Sequence, residues 1–290
     1  MALYTLAYPQ PDSIRTNLKL VIALQGFADA GHSVQIFVDY LRSSMELIPL
    51  AEFDSDLLVD YRGRRPSVTL DDTFVIHIDE ANPVLYLCRD TEGNEFLLLA
   101  GFEPDFQWKS FARAVRDLVH HYKVGHVVSL YAAPFPVPHT RQQLVSAHST
   151  EPEVLANHLN IGTTRIVPGA AALFAEHFLI QTATCSVTGL TAHVPQYIAN
   201  SDYPPAVVEF LESINNLTGT AIPMDVIRDD ATKVLEALDD LVENGELAEV
   251  VGDLEKRYDR MMSDFESRVL SQDDIDAEVA KFLAELDGDD

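Results

Sequence analysis

Hydrophobic residues along the chain fall into short continuous runs that alternate with longer amphipathic segments. The first run, residues 18–24, is apolar and partly β-branched and stops at Gly26, which predicts a buried strand that ends in a glycine turn. Residues 28–42 then carry apolar side chains at helical spacing. Asp29 near their start predicts a helix cap or a first-turn acid. The chain therefore opens with a strand, a turn and a helix.

The same order of elements recurs twice further along the chain. Because each strand is followed by a helix long enough to cross the sheet, parallel pairing is expected. Strands and helices that alternate in this way predict an α/β protein with a three-layer α/β/α sandwich. The predicted strands are 95–101, 126–131, 164–168 and 185–194, and the predicted helices are 108–122, 170–178 and 205–215.

Residues 50–94 lack sustained helical periodicity and predict short strands at 67–70 and 84–87. The segment also holds the basic cluster of the chain, formed by Arg62, Arg64 and Arg65. Two interpretations of this cluster stay open. It is either a solvated loop that pairs with the acidic surface, or a site that holds a partner or an anionic ligand.

From residue 224 onward, apolar residues recur every three or four positions and acids fill the remaining faces. This predicts an acidic helical extension, with breaks near Gly245 and Gln272, that follows a core domain of residues 1–223. The domains are therefore expected at 1–223 and 224–290. The helices either pack on their own domain or form an arm that embraces a neighbouring subunit or another protein.

The charge is strongly negative and unevenly spread. The chain has a net charge of -26, and residues 225–290 hold 22 acidic and 7 basic side chains. No Lys/Arg stripe is present, so a nucleic-acid partner is not expected. No apolar run approaches the roughly 18 residues needed to span a bilayer, so no membrane association is expected. Cys88 and Cys185 lie far apart and predict buried thiols in a reducing cytoplasm.

Familiar catalytic and cofactor motifs do not occur in the sequence. It has no glycine-rich dinucleotide or phosphate loop, no nucleophile elbow and no zinc-binding His-Glu-Xaa-Xaa-His. No Cys-Xaa-Xaa-Cys pair occurs either. We therefore expect no cofactor and no metal, and we assign no catalytic residue.

One polar cluster between residues 136 and 150 could nevertheless carry chemistry. It follows a predicted buried strand, and the carboxyl edge of a sheet is where α/β proteins place ligands. His139 could act as a general base, and Arg141 could bind a carboxylate or phosphate through two hydrogen bonds. The residues after Ser149 also read as a helix start, so capping is the alternative for Ser149 and Thr150. The candidate ligand or interface residues of the cluster are His139, Thr140, Arg141, His148, Ser149 and Thr150.

His193 is the remaining candidate of this region. It follows a predicted strand and precedes Pro195, which favours a core or edge histidine whose hydrogen bonds are satisfied. The alternative is that it lies across the sheet edge and completes a pocket with His139 and Arg141.

Several of these segments together resemble the proteasome assembly chaperone 2 family, in its actinobacterial branch. The resemblance implies an α/β/α sandwich similar to nucleoside phosphorylases and peptidyl hydrolases, and a homo-oligomer, which we expect to be a trimer. It supplies no catalytic residues, and residues 286–290 depart from the hydrophobic-tyrosine motif with which some members dock on the proteasome. The matching segments are residues 23–31, 60–66, 98–105, 138–141, 147–150 and 192–197.

We therefore expect a non-catalytic, oligomeric protein-binding scaffold that resembles proteasome assembly chaperones and binds other proteins through the acidic helical arm. The alternative is an enzyme of phosphorylase or hydrolase type, or a ligand sensor, for a small anionic metabolite. Either would use a polar pocket around His139 and Arg141.

Overall fold

The structure, a computed structural model, describes residues 3–263 and 265, apart from positions 12, 80, 81, 157, 160–163, 165 and 183. Two compact units can be distinguished. The first consists of residues 1–135 and 143–234, and the second of Pro136–Gln142 with the residues from Leu235 onward. The predicted division of the chain after residue 223 stays a prediction.

The described elements alternate much as the hydrophobic pattern predicts. The strands are β1 (Tyr4–Leu6), β2 (Lys19–Gln25), β3 (Glu46–Phe53), β4 (Val68–Asp71), β5 (Phe74–Ile78), β6 (Val84–Arg89), β7 (Glu95–Phe102), β8 (His126–Phe135), β9 (Val145–Ser149) and β10 (Ser186–Pro195). The helices are α1 (Ser33–Ser44), α2 (Ser55–Leu58), α3 (Trp108–His121), α4 (Pro152–Ala156), α5 (Ala171–Gln181), α6 (Pro204–Thr218), α7 (Asp225–Glu243) and α8 (residues 248–263).

Eight of the strands form one mixed sheet in the first unit, in the order β1-β3-β6-β7-β2-β8-β10-β9. The four central strands, β7, β2, β8 and β10, pair in parallel. The flanking strands pair antiparallel. Because the central strands share one direction, their carboxyl ends meet at one edge of the sheet.

Helices cover both faces of this sheet. On one face, α3 and α5 pack over strand residues such as Leu20 and Ile22 in the hydrophobic core. On the other face, α1 packs against α6, with the rings of Phe37 and Phe210 edge to face at 6.3 Å. The prediction of an α/β fold with three layers is therefore confirmed.

Three local predictions differ from the structure. The first helix begins at Ser33 instead of residue 28, because Gly31 and His32 adopt positive φ angles of 65° and 47° that interrupt it. The strand expected at 164–168 is wrong, since its described residues carry no regular structure. Strand β9 occupies part of the 136–150 segment, for which the sequence predicted a polar turn and a helix start.

The break that was predicted in the acidic extension is present at Gly245, whose φ of 87° ends the helical course after α7. The second predicted break, at Gln272, lies outside the described residues. None of the described helices has both the length and the apolar character that crossing a membrane requires.

Candidate functional site

The loop Pro136–Gln142 follows directly after β8 and belongs to the second unit. Its cation, Arg141, contacts two carboxylates of α8. The guanidinium donates to both oxygens of Asp259, at 2.9 and 3.0 Å, and to Glu255 at 2.9 Å. Thr140 donates to the same Glu255 oxygen at 2.6 Å. The loop is thereby bound to one face of α8, because residues four apart on a helix lie side by side.

The contact between Arg141 and Asp259 favours the charged form of both side chains. The hydrogen bond to Asp259 raises the pKa of Arg141 further above its usual value, and the same bond lowers the pKa of Asp259. Tyr258 adds a hydrogen bond from its hydroxyl to the carbonyl of Gln142 at 3.0 Å. The two hydrogen bonds between the Arg141 guanidinium and the Asp259 carboxylate fix the relative orientation of these side chains as well as pairing their charges.

His139 is buried, with 1% of its side chain exposed. Its Nε2 lies 3.2 Å from a carboxylate oxygen of Asp239 in α7. Burial lowers the pKa of His139, and the nearby charge of Asp239 opposes this effect. The candidate base and the candidate anion-binding cation of the loop are therefore both engaged by carboxylates of the chain's own helices.

His148 lies in the first unit, on the edge strand β9. Its Nε2 is 2.7 Å from Glu176, whose other carboxylate oxygen accepts a hydrogen bond from Tyr131 at 2.8 Å. The Glu176 side chain is only 4% exposed, so these two partners offset the cost of burying a carboxylate. Burial, reinforced by Glu176, raises the pKa of Tyr131 well above its usual value. Gly189 makes room for the imidazole, since a Cβ there would lie 2.0 Å from the His148 ring.

Ser149 and Thr150 hold the end of β9 and the start of α4. The Ser149 hydroxyl accepts the backbone N–H of Glu151 at 2.9 Å and lies 2.6 Å from the hydroxyl of Thr188. The Thr150 hydroxyl accepts the backbone N–H of Val187 at 2.9 Å. Helix α4 begins at Pro152, a favourable residue for the first turn. Both hydroxyls therefore have structural partners within the first unit.

His193 lies inside the first unit, on β10, and is 2% exposed. Its ring stacks on Phe135, with 3.7 Å between ring centroids and an interplanar angle of 1°. Its Nε2 lies 2.9 Å from the hydroxyl of Ser146, and its carbonyl accepts from the Gln143 side chain at 2.9 Å. The candidates of the 136–150 cluster and His193 are thus divided between the two units.

Asp29 follows the carboxyl end of β2 and stabilises the start of α1. Its carboxylate accepts the backbone N–H groups of Val34 and Gln35 at 2.7 and 3.3 Å. Burial raises the pKa of Asp29 to about 6, although these two hydrogen bonds and nearby His32 lower it. The carboxylate thus combines a capping role with an unfavourable burial of charge.

Gly26 and Arg64 meet at the same edge of the sheet. A Cβ at Gly26 would lie 2.7–2.8 Å from the Glu103 side chain, which accepts the first backbone N–H of α5. Arg64 donates to the Glu103 carbonyl and to Asp105, and its guanidinium carbon lies 4.7 Å from the ring centroid of Phe102. Of the predicted basic cluster, Arg64 is therefore held in place.

Arg62 and Arg65 are exposed, and neither makes an ion pair with any of the residues that the structure describes. Within that same part of the chain, no group of three or more His, Cys, Asp or Glu side chains is placed to hold a metal ion.

The sequence reasoning missed the acidic partners of the candidate residues. Glu255 and Asp259 are separated by four positions in a helical pattern, which signals a shared helix face but not the residue that this face contacts. Glu176 stands among alanines and leucines of a predicted helix, and an acid on an apolar face is a usable signal for a buried network.

A family model described as the PAC2 family matches residues 23–242. A protein of unknown function from Corynebacterium glutamicum is 38% identical, with a TM-score of 0.85, and the match covers 91% of this chain and 99% of that one. A Mycobacterium tuberculosis protein of unknown function is 35% identical, also with a TM-score of 0.85, over 93% and 92% of the two chains.

A second M. tuberculosis structure, a proteasome-assembly chaperone homologue, is 22% identical with a TM-score of 0.72, over 81% of this chain and all 100% of that one. At that identity the likeness shows the fold alone. No curated protein matches the chain. Because the family model spans most of its length, this chain belongs to the PAC2 family.

Proposed function

We propose that the chain is a non-catalytic scaffold that binds other proteins, in the manner of proteasome assembly chaperones, and that it works as a homo-oligomer in the cytoplasm. Membership of the PAC2 family supports the proposal, as does the shared fold of a protein identified as a proteasome-assembly chaperone homologue. The observation that carries the proposal is that the side chains of His139 and Arg141 already have partners within the chain. Both contact carboxylates of the chain's own helices in the second unit.

The acidic extension is the surface that we assign to a partner protein. Its described part presents exposed carboxylates beside exposed apolar side chains, such as Val250 and Met261. A partner that presents basic and apolar side chains would complement both features. We expect the chain itself to form a trimer.

Binding to the proteasome core particle of the same organism is the first test. The full-length chain should form a complex of fixed stoichiometry, measured by native mass spectrometry. Reversing two exposed charges together, with Glu246→Lys just before α8 and Glu249→Lys in its first turn, should weaken it. The matched control changes two exposed acids of the first unit, Glu52→Lys and Glu92→Lys, and alters net charge equally.

If the proteasome core does not bind, the same four substitutions test any stoichiometric partner purified with the chain from its native cytoplasm. Turnover of a metabolite by the purified chain, abolished by His139→Ala, would overturn the proposal. Equal weakening of partner binding by the α8 pair and by the control pair would refute the assignment to the acidic extension.

A further inference from the structure

A cavity of about 400 Å³ lies at the edge of the eight-stranded sheet. It is lined by β1, which is the outermost strand on that side, by the end of β3 and by α2. All of its lining residues belong to the first unit, and none belongs to the candidate cluster at 136–150. The volume falls within the roughly 300–1,000 Å³ of sites that bind small molecules. The cavity is therefore large enough to hold a small molecule, at a place that the sequence did not indicate.

Three aromatic residues line this cavity, namely Tyr4, Phe53 and Tyr61. Tyr4 pairs with Phe53 across β1 and β3, and the centroids of their rings lie 5.8 Å apart. The hydroxyl of Tyr61 donates to Oγ of Ser55 at 2.8 Å, which ties Tyr61 to the start of α2. Phe53 is 2% exposed, whereas Tyr4 and Tyr61 are half-buried. Tyr4 and Tyr61 therefore present aromatic surface that a ligand can contact.

Two carboxylates also line the cavity, at the point where α2 begins. Asp54 is the N-cap of this helix, and its carboxylate accepts the backbone N–H of Asp56 at 3.0 Å. Asp56 stands in the first turn and is exposed. Neither carboxylate forms an ion pair with another residue of the described chain, and within that part no Lys, Arg or His lines the cavity. The negative charge is thus left for a ligand to balance, which favours a cation.

The cation that fits this cavity is organic rather than a bare metal ion. In the ranges that the structure describes, no three acidic, His or Cys side chains converge to hold a metal. The cavity is also far larger than the roughly 30 Å³ that one water occupies. Aromatic rings attract ammonium groups through their π-electrons. Because Asp54 and Asp56 are two positions apart at a helix start, their side chains do not face each other. They therefore suit two ammonium groups, separated by methylenes, better than one.

We propose that this cavity binds an aliphatic diamine or polyamine. One ammonium group lies against Asp54 and another against Asp56, and the methylene chain between them packs on the rings of Tyr4 and Tyr61. Charged hydrogen bonds to the carboxylates supply the affinity, and the aromatic contacts supply the preference for an ammonium over other cations. The inference goes beyond the proposed scaffold function and depends neither on the oligomer nor on the acidic extension.

Isothermal titration calorimetry of the full-length chain with cadaverine and with spermidine tests the site. Each amine should bind saturably, with one ligand per chain, and its affinity should fall as the salt concentration rises. The pentanediol of the same length as cadaverine carries hydroxyls in place of the ammonium groups and should give no binding heat. The absence of saturable amine binding overturns the proposal, and so does equal binding of the diol.

Substitutions that remove one negative charge separate the cavity from the acidic surface of the chain at large. Asp54→Asn and Asp56→Asn should each weaken cadaverine binding by about tenfold. Asparagine at position 54 can still cap α2, so the helix start is kept. The matched control, Asp71→Asn, removes the same charge from the exposed end of β4 and should leave the affinity unchanged. Equal weakening in all three variants would mean that the amine follows net charge alone, and it would overturn the proposal.

The aromatic contact is tested at Tyr61 with two substitutions that both remove the hydroxyl. Tyr61→Phe keeps the ring and should bind cadaverine as tightly as the wild type does. Tyr61→Leu removes the ring and should bind it about threefold more weakly. Since both variants lose the hydrogen bond to Ser55, the difference between them reports the ring alone. Weaker binding by the leucine variant supports the proposal, and equal affinities of the two variants would overturn the placement of the amine against Tyr61.

Discussion

Replacing Asp29 by asparagine tests whether a buried charge at the sheet edge opposes folding. Burial raises the pKa of this carboxyl from 3.8 to about 6 in the folded chain. The folded state therefore binds the proton more tightly than the unfolded state does. It follows that the contribution of this group to stability is greatest at low pH and is lost as the pH rises from about 4 to above 6.

A difference of one in pKa corresponds to about 1.4 kcal/mol, so the full effect is ~3 kcal/mol. Of this, roughly 2–3 kcal/mol should develop between pH 4 and pH 8. The Asp29→Asn variant keeps an oxygen that can accept the N–H of Val34 but does not ionise. The free energy of unfolding of Asp29→Asn, minus that of the wild type, should therefore rise by roughly 2–3 kcal/mol between pH 4 and pH 8. A constant difference in stability caused by the substitution itself does not affect this change with pH.

Urea unfolding of both proteins at several pH values measures this difference. The Asp29→Ala variant serves as a control, because it does not ionise either and should show the same pH dependence relative to the wild type. Since it also removes the cap, it should be less stable than Asp29→Asn by about 0.5–2 kcal/mol at every pH. Identical pH dependence of the wild type and of Asp29→Asn would refute the reasoning. Carbon-13 NMR titration of the carboxyl gives the folded pKa directly, and a value near 3.8 would refute it independently.

The other contacts of the site give three further expectations. Arg141→Ala should accelerate hydrogen exchange of the backbone amides of α8. The control Arg113→Ala, which removes an exposed arginine of α3, should not, and equal exchange in both variants would contradict the contact of Arg141 with α8. Tyr131→Phe leaves a buried carboxylate oxygen without its donor and should cost about 1–3 kcal/mol in urea unfolding, a loss that an unchanged midpoint would contradict. Gly189→Ala places a methyl group where the His148 ring lies and should shift the NMR resonances of that ring, whereas unperturbed resonances would show that the close approach is absent.

The central strands could be predicted from the sequence because they are buried on both faces. Residues 18–24 and 185–194 are continuous apolar or small-residue runs that end at turn residues, and both form strands close to the predicted bounds. Strand β3 was missed because it includes Pro49 and carries exposed acids at Glu46 and Glu52, which weakens the strand signal at the sheet's flank. The family and the α/β class, which both depend on the central elements, are confirmed.

The candidate site was harder to predict, because its partners are distant in sequence. Arg141 contacts side chains more than a hundred positions away, and no local pattern specifies which face of α8 it meets. By contrast, the capping role of Asp29 follows from local geometry, and its carboxylate does hold the first turn of α1. The bulge between β4 and β5 was also beyond the sequence, since it depends on the register in which the two strands pair.

The proposed scaffold function is tested most directly by native mass spectrometry of the full-length chain, purified with its partners from the cytoplasm in which it is made. The account predicts a homo-oligomer that holds a second protein at a fixed ratio, with that ratio unchanged by His139→Ala. A chain that is recovered alone, and that turns over a small anionic metabolite in a reaction that His139→Ala abolishes, would contradict it.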